Sequence, residues 1–437
     1  MKKFLTILLT VVLAVCSLGL FTGCEGDGEE KVGEVVMPAY VSDTFTQFDN
    51  TQISSDFKLG VICLHDENST YDKNFLEAVD KAKATFNLTD AQVIVKTNIP
   101  ETSACLEAAN QLVAQGCKAI FANSFGHEQF MIDAARANPT VQFYHSTGTQ
   151  SKTVNVANYH TAFASIYEGR YLAGVAAGLK LQEMINDEKI QSKNKDANGN
   201  IKLGYVGAFP YAEVISGYTS WYLGVKSVVN NVVMDVQFTF SWYDETKEKT
   251  AAETLISRGA AIISQHADSW GAPNACEDAG IPNVSYNGST ISDCPETFII
   301  SSKIDWTFYF KWIIAANGGN AKAVDTDFTG TISNGLMVVL TNANGDVIAD
   351  NTIETLISVR NELIAGTRKV FDCSKFTVNG ENLTTCLADV VDNGDFIPET
   401  EAIKTENGIT YFAESEFRSA PYFSITIDGI TQLNANG

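Results

Sequence analysis

Several short segments of the chain gather aromatic rings, carboxylates and amides within a few residues of one another. They are His65-Asp66-Glu67-Asn68-Ser69-Thr70-Tyr71-Asp72, Asn123-Ser124-Phe125-Gly126-His127, Ala208-Phe209-Pro210, Ser241-Trp242-Tyr243-Asp244, His266-Ala267-Asp268-Ser269-Trp270 and Tyr286-Asn287-Gly288, with Lys303 further on. Flat aromatic faces can sandwich a flat heterocycle, and base–aromatic stacking is worth about 1–3 kcal/mol per base. Carboxylates accept from a ribose diol or an exocyclic amine, and Asn or Ser can read a base edge. Cations are few in these segments and no glycine-rich phosphate loop appears. A neutral base or nucleoside therefore fits better than a nucleotide. Structural roles compete for the same residues. Tyr71, Phe125 and Phe209 are also candidates for core or rim, Asp66, Asp72, Asp244 and Asp268 for helix N-caps, and His266 and Trp270 for packing. Capping is the stronger reading of Asp72 and Asp244. No G-x-S-x-G, H-E-x-x-H or paired glycosidase-type signature stands out, and His65-Asp66 alone is a dipeptide rather than a triad. No enzyme, cofactor or metal is expected.

These segments need elements to hold them, and the periodicity supplies candidates. Short apolar strands alternate with amphipathic helices. Lys58–Leu64, Gln92–Thr97, Ala119–Ala122 and Val141–His145 read as strands. Helices are expected from about Asp72 to Phe86, from Ser103 to Gln115 with Gly116 as a stop, and from Glu128 to Asn138 ahead of Pro139. The pattern then recurs. Leu203-Gly204-Tyr205-Val206 echoes Leu59-Gly60-Val61-Ile62, Arg258-Gly259-Ala260-Ala261-Ile262-Ile263 echoes Gln115-Gly116-Cys117-Lys118-Ala119-Ile120, and Gly280-Ile281-Pro282-Asn283-Val284 echoes Pro139-Thr140-Val141-Gln142-Phe143. Echoes in register imply an α/β protein of two lobes, each a doubly wound parallel sheet. Ligands of such sheets bind beyond the carboxyl ends of the strands, where the aromatic and acidic segments fall, and hinge closure is the usual motion.

The N-terminus bears on where the protein works. Lys2-Lys3, an apolar run and Leu20-Phe21-Thr22-Gly23-Cys24 form a leader ending in small residues before a cysteine. That is a bacterial lipoprotein signal, with Cys24 as the acylated N-terminus and the protein tethered outside the cytoplasmic membrane. Phe21 stands where Leu is usual, which leaves plain secretory cleavage as the alternative. The run is short for a membrane span. With 437 residues and a formal net charge of −22, the chain can bury large cores and should not seek nucleic acid or anionic lipid. Of its nine cysteines, those left after Cys16 and Cys24 show no CxxC or metal spacing. Cys373 and Cys386 are open to pairing.

At these residues the chain resembles the basic membrane protein family of substrate-binding lipoproteins, which serve ABC transporters and bind purine nucleosides or purine bases. The resemblance runs from about Lys58 to at least Phe310. It rests on Tyr171-Leu172-Ala173-Gly174, Ala208-Phe209-Pro210 with Glu213-Val214, Ser241-Trp242-Tyr243-Asp244 with Lys247-Glu248, and above all Gln265-His266-Ala267-Asp268-Ser269. It implies a type I periplasmic-binding-protein fold with a hinge and a ligand cleft. It further implies stacking on Tyr71 and, from the other lobe, Trp242. Tyr71 is followed by Asp72 where the family has Asn. Asp66 matches a carboxylate ahead of the first aromatic, Ser124-Phe125 a contributing loop, Asp268 the ribose- or amine-binding carboxylate, and Lys303 a lysine near the pocket. Tyr286-Asn287-Gly288 stands at a pocket loop.

The expected layout is a leader over 1–23, an acidic and polar tether over 24–56, a first lobe of 57–165 with 303–322, and a second of 166–302 with 323–371. Residues 372–437 are expected as an added β-rich surface element. The reading is a lipid-anchored monomer that delivers a purine to an ABC permease. Binding or sensing of a sugar, an amino acid or a signalling molecule remains the alternative, followed by nucleoside hydrolysis.

Overall fold

The computed structural model describes residues 33–393, 395 and 397–436. The leader and the acylation position Cys24 lie outside them.

The chain begins its first sheet with Leu59–Ile62, whose four residues are all buried. A strand covered on both faces has no polar face to show, which is why the sequence reads there as an unbroken apolar run. Helix α1 (Thr70–Thr85) starts on Ser69, whose hydroxyl accepts from the Asp72 N–H at 3.2 Å. Strand Val93–Lys96, α2 (Ser103–Ala114), strand Ala119–Ala122, α3 (Glu128–Ala137), strand Gln142–Ser146 and strand Tyr159–Ala164 follow. Helix α4 (Ile166–Asn186) leads to the second sheet, with strand Ile201–Gly207, α5 (Ala212–Lys226), strand Val232–Phe238, α6 (Glu245–Ser257), strand Ile263–Gln265, α7 (Gly271–Ala279), and strands Asn283–Tyr286 and Phe298–Ile304. Helices α8 (Thr307–Gly318) and α9 (Thr352–Ile364) complete the set.

In both sheets the first strand lies between the second and the third. Leu59–Ile62 pairs in parallel with Val93–Lys96 on one side and Ala119–Ala122 on the other. Ile201–Gly207 does the same with Val232–Phe238 and Ile263–Gln265. This repeated order makes each lobe doubly wound, with a topological switch point beside its first strand. The strand and helix positions read from the sequence agree with these to within two or three residues.

The motif Tyr171-Leu172-Ala173-Gly174 has a packing cause. A Cβ added at Gly174 would sit 2.2 Å from the Trp221 carbonyl oxygen, and one at Gly224 would sit 2.2 Å from that of Tyr171. Helices α4 and α5 thus cross at backbone contact, which glycine on both sides permits.

Three expectations about boundaries need correction. Residues 33–56 are not a solvated tether throughout. Glu34–Val35 pairs with Ala343–Asn344, and Met37 and Phe48 belong to the core. Phe48 packs 5.6 Å from the Phe308 ring and 5.9 Å from Trp312, while Lys311 reaches Asp49 at 2.7 Å. Apolar residues scattered among polar ones concealed this docking onto α8. Next, Asp327–Gly330 pairs with Tyr159–Ala164 in the first sheet, not the second lobe, while Val338–Leu340 does lie in the second, antiparallel to Phe298–Ile304. Lastly, residues 372–437 are more than a surface element. Ile430–Gln432 adds a parallel edge strand beside Val232–Phe238, and Phe423 stacks 4.2 Å from Phe371 inside the core. Such pairings join residues far apart in sequence and leave no local periodicity to read. Cys373 and Cys386 are both free.

Candidate functional site

Both switch points open into one tight cavity with about 20 Å³ of free space, so the lobes must part to admit a ligand. The first lobe lines it with Leu64, His65, Tyr71, Asp72, Ser124, Phe125 and Thr147, and the second with Glu213, Trp242, His266, Asp268 and Tyr286.

Tyr71 stands on the first turn of α1. Its hydroxyl donates to the Asn123 carbonyl at 2.8 Å and lies 3.2 Å from Ser146 Oγ, and its ring meets Phe75 edge-on at 4.9 Å. The ring is thereby fixed from behind. Asp72 is fully buried. It accepts from Asn123 Nδ2 and Ser69 Oγ, each at 2.7 Å, and from the His65 N–H at 3.1 Å. Burial would raise its carboxyl, yet hydrogen bonds from His65, Asn123 and Ser69 outweigh it and hold the group below its ordinary value. With its oxygens so occupied, Asp72 pins the ends of two strands to the helix rather than waiting for a ligand. Ser124 Oγ is likewise engaged, donating to Glu101 at 2.6 Å.

From the second lobe, Trp242 rests on Phe209 at 5.0 Å and Tyr211 at 6.1 Å. Asp244 caps α6 as expected, accepting from the Lys247 N–H at 3.0 Å. Glu248 ties the loops together. It accepts from the backbone N–H of Asp244 at 3.0 Å and of Ser269 at 3.1 Å, and burial pushes its carboxyl up to about 7. The Asp268 N–H donates to the Trp242 carbonyl at 3.0 Å, so the aromatic and the carboxylate are held as a unit. The Asp268 side chain accepts only a 3.3 Å bond from Asn287 Nδ2 among the described residues. Burial, then Asp72, Glu248 and Glu213, raise its carboxyl well above the usual range.

The lobes touch around the cavity. The Thr70 N–H and hydroxyl donate to the Asp268 carbonyl at 3.0 and 3.2 Å, Asn74 Nδ2 reaches Asn287 Oδ1 at 3.2 Å, and the Phe125 and Tyr211 rings lie 5.6 Å apart. The cleft is closed.

Of the residues singled out from the sequence, Tyr71, Asp72, Ser124, Phe125, Trp242 and Asp268 come together here. Four others stand apart from the lining. Asp66 turns outward to Asn68 and Asn98. Phe209 backs Trp242. Asn287 braces Asp268 from behind. Lys303 pairs with Glu77 at 3.4 Å across the lobes. The sequence reading puts His266 to packing and Tyr286 at a pocket loop; both line the cavity, as do Glu213 and Thr147, which that reading missed. Glu213 opens α5 and lies 3.3 Å from His266 Nε2; burial lowers that imidazole against the pull of Glu213, with Arg170 adding to the lowering. Arg170 lies behind Tyr286, 4.5 Å from the ring centroid. Thr147 takes a left-handed φ of 62°, an uncommon strain for a β-branched residue that often marks functional sites. Among the described residues no lysine or arginine lines the cavity.

Two doubly wound lobes closed over a cavity at their switch points define a type I periplasmic-binding-protein-like solute-binding fold. Residues 60–372 match the family described as ABC transporter substrate-binding protein PnrA-like, or Bmp, and the chain belongs to that family. It is similar to a purine-binding protein of Brucella abortus, 30% identical over 239 residues, covering 54% of this chain and 60% of that protein. It is also similar to a Haloferax volcanii protein named for glucose binding in an ABC transporter, 32% identical over 191 residues and 44% of each chain. The chain thus spans about half the length of these relatives. A solute-binding protein of an ABC transporter system from Aeropyrum pernix K1 superposes with a TM-score of 0.56 at 15% identity, over 72% of this chain and 93% of that one, which speaks to the fold alone.

Proposed function

We propose that this protein captures a purine nucleoside or purine base and hands it to an ABC permease, without chemistry. The observation that carries the reading is the pairing of Tyr71 and Trp242 from opposite lobes on one cavity that has acidic side chains and, among the described residues, no lysine or arginine. In this reading the base stacks between the two rings, and Asp268, short of donors, accepts from the ribose diol or an exocyclic amine. Glu213 serves the same end. A phosphate would find no lysine or arginine among the described lining residues to offset its charge, so nucleotides are poor ligands. The family membership and the Brucella relative's name as a purine-binding protein support the cargo, the extracytoplasmic setting and the permease in this reading. Among the described residues no helix is long and apolar enough to cross a membrane, and the proposed tether is acyl-Cys24 on a monomer.

The glucose-binding relative makes a sugar the rival cargo, since saccharide sites also use aromatic platforms and carboxylates. A thermal-shift panel of nucleosides, purine bases, sugars and amino acids separates them. A ligand at a hundred times its Kd stabilises the folded state by about 2.7 kcal/mol. A rise with adenosine, inosine, guanosine or a free base, and none with glucose, is the expected result. A rise with glucose alone overturns the reading.

A further inference from the structure

A second hollow, an open chamber of about 520 Å³, adjoins the first. Phe125, Thr147, Glu213 and Trp242 line both spaces and form the threshold between them. The chamber's far wall is Asp389, Pro398, Arg418, Pro421, Tyr422 and Ser424. All six lie beyond residue 372, where the family match ends. The C-terminal extension therefore adds to the common cleft a room that the matched portion does not build.

The wall is a built structure bound to both lobes. On the first, Thr153 Oγ1 donates to the Asp392 carbonyl at 2.5 Å, Lys152 Nζ to that of Phe417 at 2.7 Å, and the Ser419 N–H to Asp327 at 3.0 Å. On the second, Gln432 Nε2 donates to the Tyr218 hydroxyl at 2.6 Å and Tyr167 to the Glu414 carbonyl at 3.3 Å. The interior chemistry is selective. Aromatic rings and two prolines give an apolar body. Asp389 presents a carboxyl to the chamber, which can accept from a ligand donor; its inner oxygen is shut off from solvent and from ligand alike. The Arg418 guanidinium is already held by the carbonyls of Ala420, Pro421 and Val390 at 3.2, 3.3 and 3.4 Å, so it is not free to receive an anion.

We propose that the chamber is a second subsite, which receives a bulky, hydrogen-bond-donating and non-anionic substituent of the same purine ligand held between Tyr71 and Trp242. The cargo is then an elaborated purine, with an aromatic or amine-bearing group, rather than a bare base. The inference rests on the purine reading above.

The test uses the full chain and matched pairs in titration calorimetry. Adenosine is compared with N6-benzyladenosine, and puromycin aminonucleoside with puromycin, which place an aromatic group on the base or on the ribose. At least one elaborated ligand should bind ten times or more tightly than its parent. Ser424→Trp, which fills the chamber from an exposed position, should erase that gain and leave the parent's affinity unchanged; the unchanged parent also reports an intact fold. If both parents bind and neither elaborated ligand gains, or if the gain survives Ser424→Trp, the subsite is wrong while the purine reading stands. If neither parents nor elaborated ligands bind, both fall.

Discussion

Replacing Trp242 with alanine removes one face of the proposed sandwich. The Trp242 ring has Phe209 and Tyr211 behind it and the cavity in front, so the ring presents one free face to the ligand. Loss of one base–aromatic stack costs about 1–3 kcal/mol, and at 1.4 kcal/mol per tenfold the Kd should rise about 5- to 150-fold. Phe209 touches the ligand only through Trp242, and an aromatic pair is worth about 0.5–1.5 kcal/mol, so Phe209→Ala should weaken binding less, by about 2- to 10-fold. Tyr71→Phe keeps its ring and loses one hydroxyl bond to Asn123, and should leave the Kd within about threefold. Calorimetric titration of the preferred purine into the three variants gives the ranking, with thermal unfolding as the check on folding. Unchanged affinity in Trp242→Ala, or a larger loss in Phe209→Ala, would show that the base does not lie against Trp242.

Further outcomes follow from the same geometry. Asp72→Ala strands the buried donors of Asn123, Ser69 and His65, each worth about 1–3 kcal/mol when unsatisfied, and should lower unfolding stability in urea by about 2–5 kcal/mol. Gly174→Ala drives a methyl into the Trp221 carbonyl and should cost about 1–3 kcal/mol or more by overpacking, read as a lower midpoint in the same denaturation. Asp268→Asn removes a carboxylate whose ionisation the fold opposes, so at pH 8 the ligand-free protein should melt no lower than the parent while purine affinity falls; a lower melting point refutes the assignment. Burial raises Glu168, Glu248 and Glu414 each to about 7. A raised acid binds its proton more tightly in the folded state, so the stability it contributes is present below the unfolded value near pH 4.3 and is lost as pH rises toward 7. Buried His127, His145, His160 and His266, all lowered by burial, pull the other way over the same range. The expected outcome is therefore differential: between pH 5 and pH 8 the denaturant midpoint of Glu248→Gln should fall less, or rise more, than that of the parent.

The central strands were legible because they are buried on both faces and read as apolar runs, and the repeat exposed two lobes. Tyr71, Phe125, Trp242 and Asp268 were legible because residues just past parallel strands face the cleft. Asp66 misled because it shares the segment of Tyr71 yet points to Asn68 and Asn98. Glu213 and Tyr286 carried a weaker signal. The first sits inside a quoted stretch as an ordinary helix-opening acid, and the second ends a strand among other buried residues. Thr147 reveals itself only in its backbone dihedral. The docking of Phe48 on α8 and of Ile430–Gln432 on the second sheet depends on contacts across most of the chain, which no window of sequence contains.

The most direct measurement is a crystal structure of the protein with the purine nucleoside that stabilises it most. The account predicts the base plane lying between the Tyr71 and Trp242 rings, with a ligand donor within hydrogen-bond distance of Asp268. A ligand seated elsewhere, or a base that touches neither ring, would contradict it.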